Sequence, residues 1–216
     1  IASTSLSNRG CRARCSFCSV RNFNGKGVRG KTYESVVDEL QFLKEYYGIN
    51  HIMWLDDDLL FDRERTINMF NEMVKRNLNI TWDASNGIIA SALKDEVLEA
   101  AAESGCIGLH FGIESGNDEI LKQVHKPSGK KHYLALENKL KKYPQIFTKG
   151  FLMVGFPDER LEQMKETIDM ATAAYKNDQG IVGVPSGLTD LDDRLGGLHK
   201  QDLIIIAGRP SMGKTA

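Results

Sequence analysis

Cys11-Arg12-Ala13-Arg14-Cys15-Ser16-Phe17-Cys18 places three cysteines within eight residues, in the spacing C-x3-C-x2-C. Cysteines this close in sequence hold a metal or do redox work in a reducing compartment more often than they build a disulfide framework. Three thiolates on one short loop can each reach a different iron of a 4Fe–4S cube. Such clusters normally take four cysteines, so with three one iron keeps an open coordination site. A zinc site would want a fourth ligand near by, and the nearest unused cysteine, Cys106, lies 88 residues beyond Cys18. The flanks are basic: Arg9, Arg12, Arg14, Arg21, Lys26, Arg29 and Lys31 occur with no acidic residue from 9 to 31. A cationic loop is expected to lower thiol pKa values and offset a cluster's negative charge. The plainer alternative is a solvated basic loop.

Outward from the cysteines, strand and helix patterns alternate. Ala2–Leu6 reads as a strand, and Thr32–Tyr47 as a helix with Val36, Leu40, Leu43 and Tyr47 at helical spacing. His51–Leu55 is a short apolar strand, and Arg63–Arg76 is a helix with Ile67, Phe70 and Val74 on one face. Ile80–Ala84, Gly108–Ile113 and Lys149–Val154 are strands. Lys94–Ser104, Lys130–Lys142 and Leu161–Ala174 are helices, the last with Met164, Ile168 and Ala171 on one side. Strand starts near 51, 80, 108 and 149 are spaced as βαβ units require. The run predicts an α/β fold, a parallel sheet closing toward a partial (β/α) barrel, with five strand–helix units.

Active sites of such barrels lie at the C-terminal ends of the strands. Asp56-Asp57-Asp58 follows the second strand, and Asp83, Ser85 and Asn86 end the third. Glu114 and Ser115 end the fourth, and Gly155-Phe156-Pro157-Asp158-Glu159 ends the fifth. Crowded like charges invite a cationic partner; a helix-capping loop is the alternative. Cys106 and Trp54 are assigned to the core. His51, His110, His125, His132 and His199 show no ligand spacing.

The cysteine spacing, with aromatic Phe17 just before the third cysteine, resembles the motif of the radical S-adenosylmethionine (radical SAM) superfamily, and the resemblance covers residues 1 to about 175. It implies that Cys11, Cys15 and Cys18 carry a 4Fe–4S cluster, whose open iron binds the amino and carboxylate groups of S-adenosylmethionine. Electron transfer then yields methionine and a 5′-deoxyadenosyl radical. A reductant such as flavodoxin or ferredoxin is implied, with a small-molecule, RNA or protein substrate. By the same resemblance Asp57 or Asp58 contacts the cofactor's ammonium group, although the family's usual Gly-Gly-Glu is absent here. Glu114 and Ser115 resemble the strand-four motif of the subfamily that often carries a cobalamin-binding domain before the barrel; they would hold the ribose or amino group. Gly155 lies in the turn implied to pass under the adenine. A family core has six strand–helix units, so the sixth is expected outside this sequence.

The pattern changes after Tyr175. Lys176-Asn177-Asp178-Gln179-Gly180 is a polar break, and residues 180–216 hold seven of the twenty glycines. Gly208-Arg209-Pro210-Ser211-Met212-Gly213-Lys214-Thr215 fits G-x-x-x-x-G-K-[ST] directly after the apolar strand Leu203–Ala207. Backbone N–H groups around Gly208, Ser211, Met212 and Gly213 would cradle phosphates, Lys214 would reach the β- and γ-phosphates of ATP, and Thr215 would ligate magnesium. The alternative is a glycine-rich turn. The stretch from Gly183 to Thr215 resembles the opening of the ATPase domain of DnaB-type replicative helicases, which implies a hexameric motor on single-stranded DNA. That family's later catalytic motifs are absent, so weak or no ATP turnover is expected. The expected organisation is therefore a core over 1–177 and a helicase-like piece over 178–216, joined in a chimera or fusion fragment.

Bulk properties narrow the rest. A net charge of −1 gives no global field toward nucleic acid or membrane. The longest purely apolar run, Leu203–Ala207, is far short of the ~20 residues of a membrane-spanning helix. With no signal-peptide pattern and clustered cysteines, a cytoplasmic location is expected.

Overall fold

The alternation read from the sequence is realised in a computed structural model that describes residues 1–177; Gly208–Thr215 and the rest of 178–216 lie outside the described residues. In chain order the elements are β1 (Ala2–Ser5), β2 (Asn8–Arg9), α1 (Val20–Phe23), β3 (Arg29–Gly30), α2 (Tyr33–Tyr47), β4 (His51–Trp54) and α3 (Arg63–Lys75). There follow β5 (Thr81–Ile88), α4 (Asp95–Glu103), β6 (Cys106–Glu114), α5 (Asp118–Gln123), α6 (Lys130–Leu140), β7 (Phe147–Leu152) and α7 (Leu161–Asn177). Five strands form one sheet in the order β1-β4-β5-β6-β7. Pairing is parallel from β1 to β4, β4 to β5 and β5 to β6. Parallel neighbours need a crossover connection, and the helices supply it. A two-stranded antiparallel ribbon joins β2 to β3.

The chain divides into two compact units. One holds Ile1–Ile113 with Lys122–Phe151; the other holds Glu114–Leu121 with the described residues from Leu152 on. In the first unit one face of the sheet is packed. Ile52 and Trp54 of β4, Trp82 and Ala84 of β5, and Leu109 and Phe111 of β6 are buried, as the period of two requires. Phe70 of α3 stacks on Trp82 with ring centres 4.8 Å apart, and Trp54 meets Trp82 edge-on at 6.5 Å. Such aromatic pairs contribute ~1 kcal/mol each beyond the area they bury. Trp82 Nε1 donates to Ser104 Oγ at 3.0 Å, which satisfies its buried polar atom. Helix ends are closed locally. Thr32 Oγ1 accepts from Ser35 N and Asp62 Oδ1 from Arg65 N. Cys106 and Trp54 are each 1% exposed, as expected of core residues.

Several expectations need correction. Helix α3 buries Thr66, Met69, Phe70 and Met73, whereas Val74 is 43% exposed. This run puts Phe70 under Trp82, and the Thr66 hydroxyl is satisfied by the carbonyls of Leu59 and Asp62. In α7 the buried positions are Gln163 and Thr167, not Ile168, because both polar side chains find partners within their unit. Strand β7 starts two residues before the apolar pattern at Lys149, and β5 runs on to Ile88. The β2–β3 ribbon and helices α1 and α5 went unread because each is too short to show a period.

Candidate functional site

Three consecutive aspartates after β4 each grip a different station of the cysteine loop. Asp56, 2% exposed, accepts from Ser7 N at 3.0 Å, Ser7 Oγ at 2.5 Å, Asn8 N at 2.9 Å and Asn8 Nδ2 at 2.6 Å. Asp57 Oδ2 accepts from Gly10 N at 2.8 Å and from Asn24 Nδ2 at 2.7 Å. Asp58 is buried, with its Oδ2 2.9 Å from Arg12 Nε. Arg12 also donates to the carbonyls of Leu60 and Phe61. The loop is therefore held before the cysteines, at the first of them, and after them. Gly10 makes the crossing possible: its φ is +89°, and a Cβ there would lie 2.2 Å from Gly27 O. Burial pushes the Asp56 and Asp58 carboxyls above their ordinary range, against the donors around Asp56 and the Arg12 charge beside Asp58.

Within this frame Cys11 and Cys15 are partly exposed and Cys18 is exposed. Ser16 N donates to Val124 O at 3.0 Å, which ties the middle of the loop to the segment after α5. Lys126 Nζ lies 5.9 Å from the centre of the Phe17 ring. The expectation that the basic flanks lower the thiol pKa fails for Cys11. Burial pushes its thiol up to about 11, and the nearby Asp58 carboxylate adds to the rise. The cations meant to oppose this are turned elsewhere: Arg12 faces Asp58, and Arg21 donates to Ala13 O. Among the described residues no three His, Cys, Asp or Glu side chains converge on one metal ion. Three thiolates that each ligate a different iron have no need to converge. An all-sulfur donor set on one pinned loop fits an iron–sulfur cluster.

The second unit holds the other expected residues. Glu114, the last residue of β6, has φ +67° and is 9% exposed. Left-handed backbone at a non-glycine residue costs ~1–2 kcal/mol. It is fixed by Met153 N, which donates to Glu114 O at 2.7 Å. Ser115 is buried; its hydroxyl meets Thr167 Oγ1 at 3.2 Å and accepts from Asn117 N at 3.1 Å. Gly116 N donates to Thr167 Oγ1 at 2.9 Å. A Cβ on Gly116 would lie 2.7 Å from Glu166 O, so the turn packs directly against α7. Gly155 has φ +87°, and Glu159 Oε2 accepts from Gly155 N at 2.6 Å and Phe156 N at 3.0 Å.

Residues 6–171 match the Radical SAM superfamily. The chain belongs to the radical SAM superfamily. An uncharacterized methyltransferase of Pyrococcus horikoshii is 33% identical over 166 residues, 77% of this chain and 36% of that protein. The chain thus spans about a third of the length of the curated relatives it matches. Among solved structures, the fold is similar to that of TsrM, a radical S-adenosylmethionine methyltransferase from Kitasatospora setae with cobalamin and a 4Fe–4S cluster bound. The TM-score is 0.70 at 22% identity, over 84% of this chain and 36% of that one. Residues 183–216 match the DnaB-like helicase C terminal domain. The replicative DNA helicase DnaB of Rickettsia felis is 37% identical over 116 residues, 50% of this chain and 21% of that protein.

The radical SAM sheet carries one polar network that the sequence reading left without a role. His51 Nε2 lies 2.9 Å from Asp83 Oδ2, and His51 Nδ1 lies 2.9 Å from Thr81 Oγ1. Ser85 Oγ donates to Asp83 Oδ1, and His110 Nδ1 donates to Ser85 O at 3.1 Å. These side chains stand on the strand positions alternate to the packed face, so they line the open face of the sheet. Gly108 clears room for Asp83, since a Cβ there would come within 2.9 Å of Asp83 Cβ. Alternation of apolar and polar residues along β4 and β5 was the available signal. A separate cavity of about 480 Å³ opens beside the end of β1, lined by Thr4–Arg9, Arg29, Lys31 and Glu39. No described helix is long and apolar enough to cross a membrane.

Proposed function

We propose that residues 1 to about 177 are the cofactor-binding core of a radical SAM methyltransferase, with Cys11, Cys15 and Cys18 as the ligands of a 4Fe–4S cluster. The supporting observation is the loop itself: three thiols on a segment anchored at Ser7–Asn8, Gly10, Arg12 and Asn24 by Asp56, Asp57 and Asp58. When bound, the cluster supplies the electron that cleaves S-adenosylmethionine to methionine and a 5′-deoxyadenosyl radical. The chain's own residues hold the parts in place. Asp57 has only Oδ2 engaged by the loop, so its Oδ1 is the oxygen for the cofactor's ammonium group. Asp58, buried against Arg12, acts instead by positioning the loop. Glu114 would hold the ribose or amino group, Gly155 would admit the adenine, and Phe17 would border the cofactor. Ser115 fixes the turn after Glu114 through Thr167. A one-electron reductant such as flavodoxin or ferredoxin is part of the proposal. So is cobalamin bound by a domain outside these residues, with a small-molecule, RNA or protein methyl acceptor. Methyl transfer draws its support from the names of the relatives.

The test is anaerobic reconstitution with iron and sulfide, followed by reductant and S-adenosylmethionine. Four irons per chain and formation of 5′-deoxyadenosine, both lost in Cys15→Ala, are expected. Zinc in place of iron, or undiminished cleavage by Cys15→Ala, would overturn the assignment.

The match over 183–216 favours a second, separate activity. Gly208, Ser211, Met212 and Gly213 would cradle ATP phosphates, with Lys214 on the β- and γ-phosphates and Thr215 on magnesium. Hexamer contacts and single-stranded DNA belong to this reading only with the rest of a helicase domain. Equilibrium binding of ATP that survives Lys214→Ala would remove it.

A further inference from the structure

In the polar network on the open face of the sheet, His110 has a ring nitrogen that the fold leaves unused. The register puts Thr4, Met53, Asp83 and Gly108 in one layer across that face. Ser85 and His110 stand one layer further on, at the C-terminal end of the strands, where parallel α/β sheets bind their ligands. Here β5 bulges. Ala84 pairs with Leu109 and Ile88 with Phe111, so the step from 84 to 88 on β5 faces only the step from 109 to 111 on β6. Gly87, inside the bulge, takes φ +90°. The broken ladder leaves Ser85 O to accept from His110 Nδ1 at 3.1 Å. A carbonyl can only accept, so Nδ1 carries the proton and Nε2 of the neutral imidazole presents its lone pair. No described residue hydrogen-bonds Nε2. The half-buried ring is also held edge-on by Phe151, with ring centres 5.9 Å apart. Asp83 is fully engaged beside it: Oδ1 accepts from Ser85 Oγ, and Oδ2 lies 2.9 Å from His51 Nε2.

We propose that His110 is a specificity-determining residue: its Nε2 accepts a hydrogen bond from an N–H or O–H on a ring of the methyl acceptor. That the ligand is the methyl acceptor rests on the function proposed above; the hydrogen-bonding site does not. No bond is made or broken at His110. Ligand sites are mostly apolar, with a few polar groups that fix orientation. The open face has that make-up at this end: Phe151 and Met53 are half-buried apolar side chains on it, and a thioether makes favourable contacts with aromatic rings. The other polar atoms of the network are committed to one another, so the lone pair on Nε2 is the one that selects. A ring that offers N–H or O–H satisfies it. An analogue methylated at that atom leaves a half-buried acceptor unpaired.

The experiment is a nuclear magnetic resonance titration of the full chain, carrying 15N-labelled histidine and reconstituted with iron and sulfide, with phenol and with anisole. The two probes share a ring and differ in the O–H donor. Before any probe is added, His110 should show the Nδ1–H tautomer. Phenol should move its Nε2 resonance and bind ~5-fold more tightly than anisole, the worth of one hydrogen bond. His110→Phe should bind both probes equally, and His110→Gln, which keeps an acceptor oxygen, should recover part of the preference. An Nε2–H tautomer in the wild-type chain would overturn the proposal, whatever the variants do. So would equal affinity for phenol and anisole, or a preference that survives His110→Phe. A chain that loads no iron yet prefers phenol through His110 would overturn the cluster reading alone and leave the hydrogen-bonding site standing.

Discussion

Removing the Asp56 carboxylate should unfasten the start of the cysteine loop, and the structure sets the scale. Asp56 receives four hydrogen bonds from two residues that are 0% and 3% exposed, Ser7 and Asn8. In Asp56→Ala the backbone N–H groups of Ser7 and Asn8 lose their acceptor, while the Asn8 amide keeps Asp58 O, and each buried donor left unsatisfied costs ~1–3 kcal/mol. The Ser7 hydroxyl can turn to a new partner. Loss of a buried charge returns part of the total. The net expectation is a destabilisation of ~3 kcal/mol. In Asp56→Asn, Oδ1 can keep its three donors, and only Ser7 N faces an amide N–H where Oδ2 stood. The expected cost is ~1–2 kcal/mol. Urea unfolding followed by the fluorescence of Trp54 and Trp82, both in the core of the same unit, reads the difference. With a slope of ~2–3 kcal/mol per molar, the midpoint should fall by ~1 M for Ala and by about half that for Asn.

The pH dependence makes the reasoning refutable. Burial raises the Asp56 pKa in the folded state above its ordinary 3.8. A raised carboxyl contributes stability that is fully present below the unfolded value and is lost as pH rises through the folded value. The amide in Asp56→Asn cannot titrate. The penalty of that substitution should therefore be largest below the ordinary 3.8 and shrink as pH rises above it. A penalty that grows with pH would mean that the four donors outweigh burial and hold the carboxylate ionised. Equal stability of the Ala and Asn variants would remove the hydrogen-bond account altogether.

Three further outcomes follow from the same geometry. Gly10→Ala puts a Cβ 2.2 Å from Gly27 O at φ +89°, so it should cost ~2 kcal/mol or more and abolish iron loading, measured by metal analysis. Thr167→Val removes the acceptor for Gly116 N and the partner of Ser115 Oγ; a loss of ~1–3 kcal/mol should appear in calorimetry, and an unchanged Tm would refute it. Glu114→Gly relieves the strain of φ +67°, so stability should hold or rise by up to ~1 kcal/mol while S-adenosylmethionine cleavage falls. A stable, fully active variant would mean that Glu114 does not hold the cofactor.

What was legible in the sequence was local. Cys11, Cys15 and Cys18 announce themselves by spacing, and α2 by its apolar stripe. Strands β4 and β6 were found because short apolar runs sit between helical patterns. The loop's anchoring was not legible. Ser7 and Asp56 are 49 residues apart, and Ser16 and Val124 more than a hundred. Contacts of that range leave no periodic trace. The pKa expectation failed for a related reason: counting basic residues beside Cys11 says nothing about where their guanidinium groups point, and Arg12 points at Asp58.

The departure from the family's Gly-Gly-Glu after the second strand has a physical reading in this fold. Successive residues leaving a strand point to opposite sides, and burial alternates accordingly: Asp56 buried, Asp57 half-buried, Asp58 buried. The outer two are committed to Ser7, Asn8 and Arg12, so they serve the loop. Only the middle one keeps a partly exposed oxygen. Three adjacent carboxylates would repel one another if they shared a site. Here each meets its own donors, so the strand end fastens the loop with two of them and leaves one to face a cationic ligand. Neutralising Asp57 should therefore weaken S-adenosylmethionine binding with little loss of iron, whereas neutralising Asp58 should release Arg12 and cost iron first. The order of those two losses, read by metal analysis and equilibrium dialysis, separates the ligand contact from the positioning residue. The same order in both variants would mean that the two aspartates do one job.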